Sequence, residues 1–286
     1  MTLKLRKNKD FGYYHLHPIP SQEDIESFYS NYTELIKTGE KDQGMMRLMF
    51  EGKEQVKELH WMEHTVYQDV KYMIETYAST NKPAILDCGA GNGDLVEYLS
   101  NHFLNTLGID PYFDSRSNLV FRFSIDNVQN KSTDVLLLMN VLEHIREPFW
   151  FINEAKKTLR EEGLIIVKVP NEFNRLQVKA LKFLKTKPWF ISTKDIHHIN
   201  YFNLESLTKL LDASGFDVFD AIADFPMEAF LLSGYNYVDN QDIGSFCHQS
   251  RVSMEMAVNT EVRRKLYQLL AKSGIGRTVL VAGVLK

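Results

Sequence analysis

The stretch Ala84-Ile85-Leu86-Asp87-Cys88-Gly89-Ala90-Gly91-Asn92-Gly93-Asp94 decides the fold. An apolar run leads into glycines at every second position, and a helical pattern over about 93–103 follows. Glycine permits positive φ and lets a ligand approach the backbone closely, while a helix start offers N–H groups without intrahelical acceptors. A bulge or tight turn would use the same glycines, so the context decides. The next apolar run, NTLGID at 105–110, ends on Asp110, 21 residues after Gly89. A carboxylate there accepts both hydroxyls of a ribose in doubly wound folds. A dinucleotide-binding loop would carry its third glycine at position 94, where this chain has Asp94. An acidic side chain at a helix start repels a pyrophosphate and suits a cationic ligand end. This disfavours a nicotinamide dinucleotide and favours S-adenosylmethionine (SAM).

Working outward, apolar runs alternate with helical patterns from Lys82-Pro83 onward. The runs are AILDCGA (84–90), NTLGID (105–110), VFRFSI (120–125), DVLLLMN (134–140), LIIVKVP (164–170), FDVFDAIA (216–223) and RTVLVAGVL (277–285). The first, fourth and fifth are nearly continuous, as expected of strands covered on both faces. Helical patterns between them, notably at 93–103 and 148–160, predict right-handed crossovers and a parallel sheet. The expected fold is therefore α/β, a doubly wound and mostly parallel seven-stranded sheet over 82–286, with an insertion at 224–276. Upstream, Ser21 and Asp24 form a capping-box pattern, and Ile25, Phe28, Tyr29, Tyr32 and Ile36 recur at helical spacing before Gly39. A second helix is predicted over about 53–78, with Leu59, Val66, Val70, Met73 and Tyr77 on one face. Neither has a sheet of its own, so residues 1–81 are expected to form a helical cap.

Composition narrows the function. The chain has 286 residues, 44% hydrophobic and 24% charged, an ordinary globular composition. A net charge of −4 and a pI near 6.2 make a broad basic surface for nucleic acid unexpected. Cys88 and Cys247 are the only cysteines, too few for a disulfide framework or a cysteine zinc site. No apolar run approaches the roughly 18 residues of a membrane span, and the basic start resembles no signal peptide. The expected location is the cytoplasm.

ILDCGAGNGDLVEYL, GIDPYF, VLLLMNVLEHIREP, GLIIVKVPN and HHINYFNLESLTKLLDASGF resemble the ordered motifs of class I SAM-dependent methyltransferases. The branch most like them contains the ubiquinone-pathway O-methyltransferases and many small-molecule and sugar methyltransferases. The resemblance covers about residues 82–223, with 277–285 completing the Rossmann-like sheet. It implies that Asp87 and the backbone of Gly89, Ala90, Gly91, Asn92 and Gly93 hold the methionine end of SAM. Asp110 takes the ribose hydroxyls, and Asn140 faces the sulfur and amino-acid end. Asp126 falls where the family contacts the adenine amino group, although a turn-forming Asp beside Asn127 reads equally well. S-adenosylhomocysteine is the implied product.

Methyl transfer from a sulfonium is an in-line displacement, so the protein must position the acceptor and, for a hydroxyl, remove its proton. Two histidine sites offer a base: His144 in NVLEHI and His198 in HHINYFN, the latter matching the family's H-x-x-x-F segment with Phe202. His198 reads equally as a helix-entry histidine held by backbone carbonyls. Some ubiquinone-pathway relatives bind a divalent cation through Glu-x-x-Glu-His. Asn140 stands at the first acidic position here, and hard cations prefer several carboxylate oxygens, so no metal is expected. Arg175, Lys179 and Lys182 share a helical face, continued by Lys185 and Lys187. That face is either solvated or a grip for a phosphate or carboxylate on the acceptor. The aromatic entry Phe11, Tyr13 and Tyr14 loosely resembles the front of some bacterial sugar methyltransferases, and 224–276 reads as a lid or an oligomer contact. The expected function is methyl transfer to a small polar acceptor, at the oxygen of a sugar, nucleotide-linked sugar or phosphorylated metabolite. The alternatives are a non-catalytic SAM-binding sensor or partner subunit and, disfavoured by Asp94, a nicotinamide-dependent oxidoreductase.

Overall fold

The computed structural model describes residues 4–38, 52–112, 115–191 and 198–286. Gly39 and His197 lie outside the described residues, as do the side chains of Tyr32 and Ile36. The chain opens with strands β1 (Lys4–Lys7) and β2 (Tyr14–His17), then helix α1 (Gln22–Thr38). The capping box at α1 forms: Ser21 N donates to Asp24 Oδ2 at 2.9 Å, and Asp24 N donates to Ser21 Oγ at 3.1 Å. The second predicted helix is divided into α2 (Gly52–Met62), a π-helical turn (Glu63–Tyr67) and α3 (Gln68–Tyr77). Then follow β3 (Ala84–Cys88), α4 (Asp94–Ser100), β4 (Asn105–Ile109), β5 (Val120–Phe121), β6 (Thr133–Met139), α5 (Pro148–Ala155) and β7 (Leu159–Pro170). The remainder is α6 (Arg175–Leu184), β8 (Asn200–Tyr201), α7 (Leu204–Ala213), β9 (Phe216–Ala223), α8 (Glu228–Leu232), α9 (Gln241–Ala257), α10 (Thr260–Lys272) and β10 (Thr278–Leu285).

The seven expected strands form one sheet in the order β5-β4-β3-β6-β7-β10-β9. Its pairs from β5 to β7 are parallel, and β10 runs antiparallel between β7 and β9. Alternate residues of β6 and β7 bury on opposite faces. Leu136, Leu138, Ile165 and Val167 meet Ile152 of α5 and Leu207, Leu210 and Leu211 of α7. Val135, Leu137, Leu164 and Ile166 meet Val70 and Met73 of α3, Leu99 of α4 and Tyr267 of α10. Burial on both sides is why these strands read as unbroken apolar runs. The third expected strand is shorter than VFRFSI: Ser124 leaves the sheet to cap a 3₁₀ turn, Ile125–Asn127, with Asn127.

The N-terminal segment is not helical throughout. β1 pairs antiparallel with β2, and β2 pairs with β8 through Tyr14–Tyr201 and His15–Asn200. The chain before residue 82 is thus tied by backbone hydrogen bonds to the segment after β7. Strand order reverses between β3 and β6, because the chain runs outward through β4 and β5 and returns beside β3. In open α/β sheets the crevice at such a switch point receives the ligand. No helix among the described residues is long and apolar enough to cross a membrane.

Candidate functional site

The switch-point crevice is a cleft of about 460 Å³, lined from below by Gly89, Gly91, Asp110, Asp126 and Asn140, with His144 at one side. The loop after β3 is pinned to β4: the N–H groups of Gly89 and Ala90 donate to the Ile109 carbonyl at 2.8 and 3.1 Å. Gly89 has φ +85°, and a Cβ there would stand 2.6 Å from Val141 Cγ2. Gly93 has φ +87° and would meet Ser117 at 2.7 Å. Only glycine fits either place. Gly93 thereby lets the loop pack closely against the 115–120 segment, just ahead of the start of α4.

Asp110, 9% exposed, accepts from Gly91 N at 3.0 Å through Oδ2 and from Tyr112 N at 2.9 Å through Oδ1. It holds the glycine loop, and each carboxylate oxygen accepts more than one bond. Asp87 is buried, and its Oδ1 has no hydrogen-bond partner. Desolvation, aided by the charge of Asp110, pushes its carboxyl up to about 7. A ligand ammonium would give that oxygen a partner and return the group to its ionised form. Asp126 is exposed on the 3₁₀ turn and lines the cleft. Asn140 takes φ +58° at the end of β6, a left-handed conformation that Asn tolerates better than most residues. The orphaned Asp87 oxygen, the glycine cradle and the paired Asp110 fit the ammonium, main chain and ribose of SAM.

Helix α1 roofs the cleft with Gln22, Ile25 and Tyr29. The Tyr29 ring stacks on Tyr112 at 4.9 Å and 12°, and Gln22 Nε2 donates to the Tyr112 hydroxyl at 3.1 Å. Tyr67, from the π-helical turn, is buried, and desolvation together with the nearby charges of Asp94 and Asp87 pushes its phenol well above the usual range, so that it stays protonated. No sequence signal marked Tyr67. A five-residue π turn has no composition of its own, and such turns recur at functional sites.

The two histidine segments come together. Ile199 N donates to the Glu143 carbonyl at 2.8 Å, and Asn200 Nδ2 donates to the Leu142 and Ile145 carbonyls at 3.0 and 2.6 Å. These bonds set His198 beside His144, ring centroids 5.0 Å apart at 72°. His144 lines the cleft and lies 6.2 Å from the Tyr29 ring. Donor atoms of Glu143, His144 and His198 all lie within 4.8 Å of one another, a set that could hold a cation. Glu143 is 1% exposed, and burial pushes its carboxyl up to about 7. Its Oε1 accepts from Asn140 Nδ2 at 2.9 Å, while its Oε2 has no partner. Lys168 Nζ donates to Asn140 Oδ1 at 3.0 Å, so an ammonium already stands behind the Asn140–Glu143 pair. Lys168 was missed in the sequence, where the signal was a lone lysine inside LIIVKVP. Lys179, Lys182, Lys185 and Lys187 are exposed, and α6 turns Gln177 and Ala180 inward.

A family model described as a methyltransferase domain matches residues 59–221. The chain is 25% identical over 190 residues to the ubiquinone biosynthesis O-methyltransferase of Pelagibacter ubique, covering 57% of this chain and 77% of that protein. It resembles the crystal structure of Burkholderia thailandensis 1,6-didemethyltoxoflavin-N1-methyltransferase, with bound 1,6-didemethyltoxoflavin and S-adenosylhomocysteine. That likeness has a TM-score of 0.52 at 11% identity and covers 100% of both chains. A SAM-dependent methyltransferase from Archaeoglobus fulgidus aligns at TM-score 0.47 and 16% identity, over 82% of this chain and 100% of that one. With the family model spanning more than half of the sequence, over the strands and loops that build the cleft, the chain belongs to the methyltransferase domain family and is a class I SAM-dependent methyltransferase.

Proposed function

We propose that the enzyme transfers the methyl group to a hydroxyl oxygen of a small polar acceptor, of the sugar or sugar-derivative class, with the His144–His198 pair taking the proton. The observation that carries this is the pair itself: His144 lines the cofactor cleft, and His198 stands 5.0 Å from it. When bound, SAM supplies a methyl group activated by the positive charge on sulfur. The protein's part is to align the acceptor and remove one proton as the oxygen–carbon bond forms, worth about 10²–10⁴-fold in rate. His198 is our first choice of base, and His144 is the alternative, since both are half-buried and within reach of one site. Gln22, Ile25 and Tyr29 of α1 cover one side of the cleft, where they would limit the approach of water.

We further hold that turnover needs no metal, although Glu143, His144 and His198 are gathered. Asn140 and Lys168 support this reading, because a neutral amide bonded to a lysine stands where a further carboxylate would serve a hard cation. A phosphate-bearing acceptor loses ground, since Lys179, Lys182, Lys185 and Lys187 are exposed. The test is incubation with methyl-labelled SAM and fractionated metabolite pools, followed by product mass analysis. A labelled O-methyl product of low mass is expected. Label found only on nitrogen, or only on macromolecules, would overturn the proposal.

A further inference from the structure

A second set of polar groups, three of them buried, gathers at the same strand edge, outside the cofactor cleft. It comprises Glu172 in the loop after β7, Gln177 on α6, Glu228 on α8, Tyr237, and Arg277 just ahead of β10. Glu228 is 1% exposed and Glu172 8%. Gln177 Nε2 donates to Glu172 Oε2 at 2.6 Å. Glu228 Oε2 and the Tyr237 hydroxyl are buried without a hydrogen-bond partner. Arg277 is exposed and forms no ion pair among the described residues, yet its charge acts on Glu172, Glu228 and Tyr237.

Orphaned buried acceptors are costly, and a fold that needed only volume here would use apolar side chains. The set lies after β7 and before β10, at the strand ends that also carry Lys168, and within electrostatic reach of it: Glu172 feels the charge of Glu143, and Lys168 that of Arg277. Lys168 and Glu143 are both bonded to Asn140, which lines the cofactor cleft.

We propose that Glu228, Tyr237 and Glu172 recognise the far end of the acceptor, and that this end is a protonated amine on a hydroxyl-bearing frame, as an amino sugar presents. An ammonium carries three donors and no acceptor, matching a carboxylate oxygen and a phenolic oxygen that have no partner of their own. A phosphate would meet two carboxylates against one guanidinium. An ammonium held this way has no lone pair, which directs methylation to oxygen. This inference rests on the small polar acceptor proposed above.

The test uses the full-length protein saturated with S-adenosylhomocysteine and three probes: glucosamine, N-acetylglucosamine and glucose 6-phosphate. Calorimetry is expected to rank glucosamine at least about ten-fold tighter than the other two, and Glu228→Gln to erase that preference. A ligand-free check is Glu228→Met, which removes the orphaned oxygen and is expected to raise the melting temperature. A lower melting temperature would mark Glu228 as structural and overturn the assignment. Equal affinity for the three sugars, or a preference for glucose 6-phosphate, would overturn it too. Glucosamine binding that Glu228→Gln abolishes, with no methylated small molecule from any metabolite pool, would support the recognition site and refute the acceptor class.

Discussion

Asp87 offers the sharpest test of the cofactor site, because burial has left it poised to change charge. Its carboxyl is raised to about 7 by desolvation and by Asp110, against about 3.9 in an unfolded chain. Between those values the folded protein binds the proton that the unfolded chain has released, so stability falls as pH rises. At about 1.36 kcal/mol per unit, roughly 4 kcal/mol is lost as pH rises from about 4 to past 7, of which about 2.5 kcal/mol accrues between about pH 5 and pH 8. Asp87→Asn removes the titration and keeps the shape. Urea denaturation of the cofactor-free protein is expected to show the mutant gaining on wild type steadily across that range. The same substitution should weaken SAM binding most at pH 8, where wild type offers the ammonium a full charge. A wild-type-minus-mutant difference that is flat with pH would refute the reasoning, since it would mean that the Asp87 carboxyl is solvated or paired.

Asp110→Ala removes hydrogen bonds worth about 1.5–3 kcal/mol each, so calorimetry should find SAM at least about a hundredfold weaker; because Gly91 N and Tyr112 N also lose their acceptor, melting should fall as well. His198→Ala and His144→Ala should bind S-adenosylhomocysteine nearly as wild type, with the base variant losing about 10²–10⁴ in turnover on an identified acceptor; full activity in both would remove the pair from the mechanism. Turnover should survive extensive chelation, and recovery that required magnesium would show that Glu143, His144 and His198 hold an ion. Arg251→Met leaves Asp224 and Glu255 without the guanidinium now at 2.8 and 3.1 Å, and chemical denaturation should register a loss of about 3–5 kcal/mol.

The sheet was legible because its strands are covered on both faces: Leu136 and Leu137 point to different helices, yet both must be apolar. The glycine loop was legible for a related reason, since a turn where an added Cβ would stand 2.6 Å from a neighbour's methyl group leaves no choice but glycine. The small sheet was not legible. KLRK and YHLH are four residues each, too short for a periodicity to emerge, and their pairing with Asn200-Tyr201 spans most of the chain. The joining of His144 and His198 was equally hidden. It depends on backbone bonds from Ile199 and on the Asn200 side chain reaching two carbonyls, and no local pattern encodes such an arrangement. Sequence nominated both histidines without a reason to put them together.

Buried charge is partitioned in this protein, and the partition separates stability from chemistry. Behind the sheet edge, the carboxylates of Asp69, Asp220, Asp224 and Glu255 each meet a guanidinium from Arg263, Arg264 or Arg251, all within α9 and α10. Trp61 Nε1 and the Tyr267 hydroxyl donate to Glu255 besides. Those bonds lock the insertion to α2, the π turn and α3, and they give each buried carboxylate the partner its desolvation demands. At the carboxyl ends of β3, β6 and β9 the rule is broken. Asp87, Glu143 and Glu228 each keep an oxygen without a partner, although the first two lie within the fold's own motifs. The chain has nine histidines and 33 basic side chains to draw on, and it pairs buried acids wherever rigidity is the need. Leaving three of them open along one edge is the arrangement expected where the missing partners arrive with the ligands: the ammonium of SAM at Asp87, and the donors of an acceptor beyond Asn140.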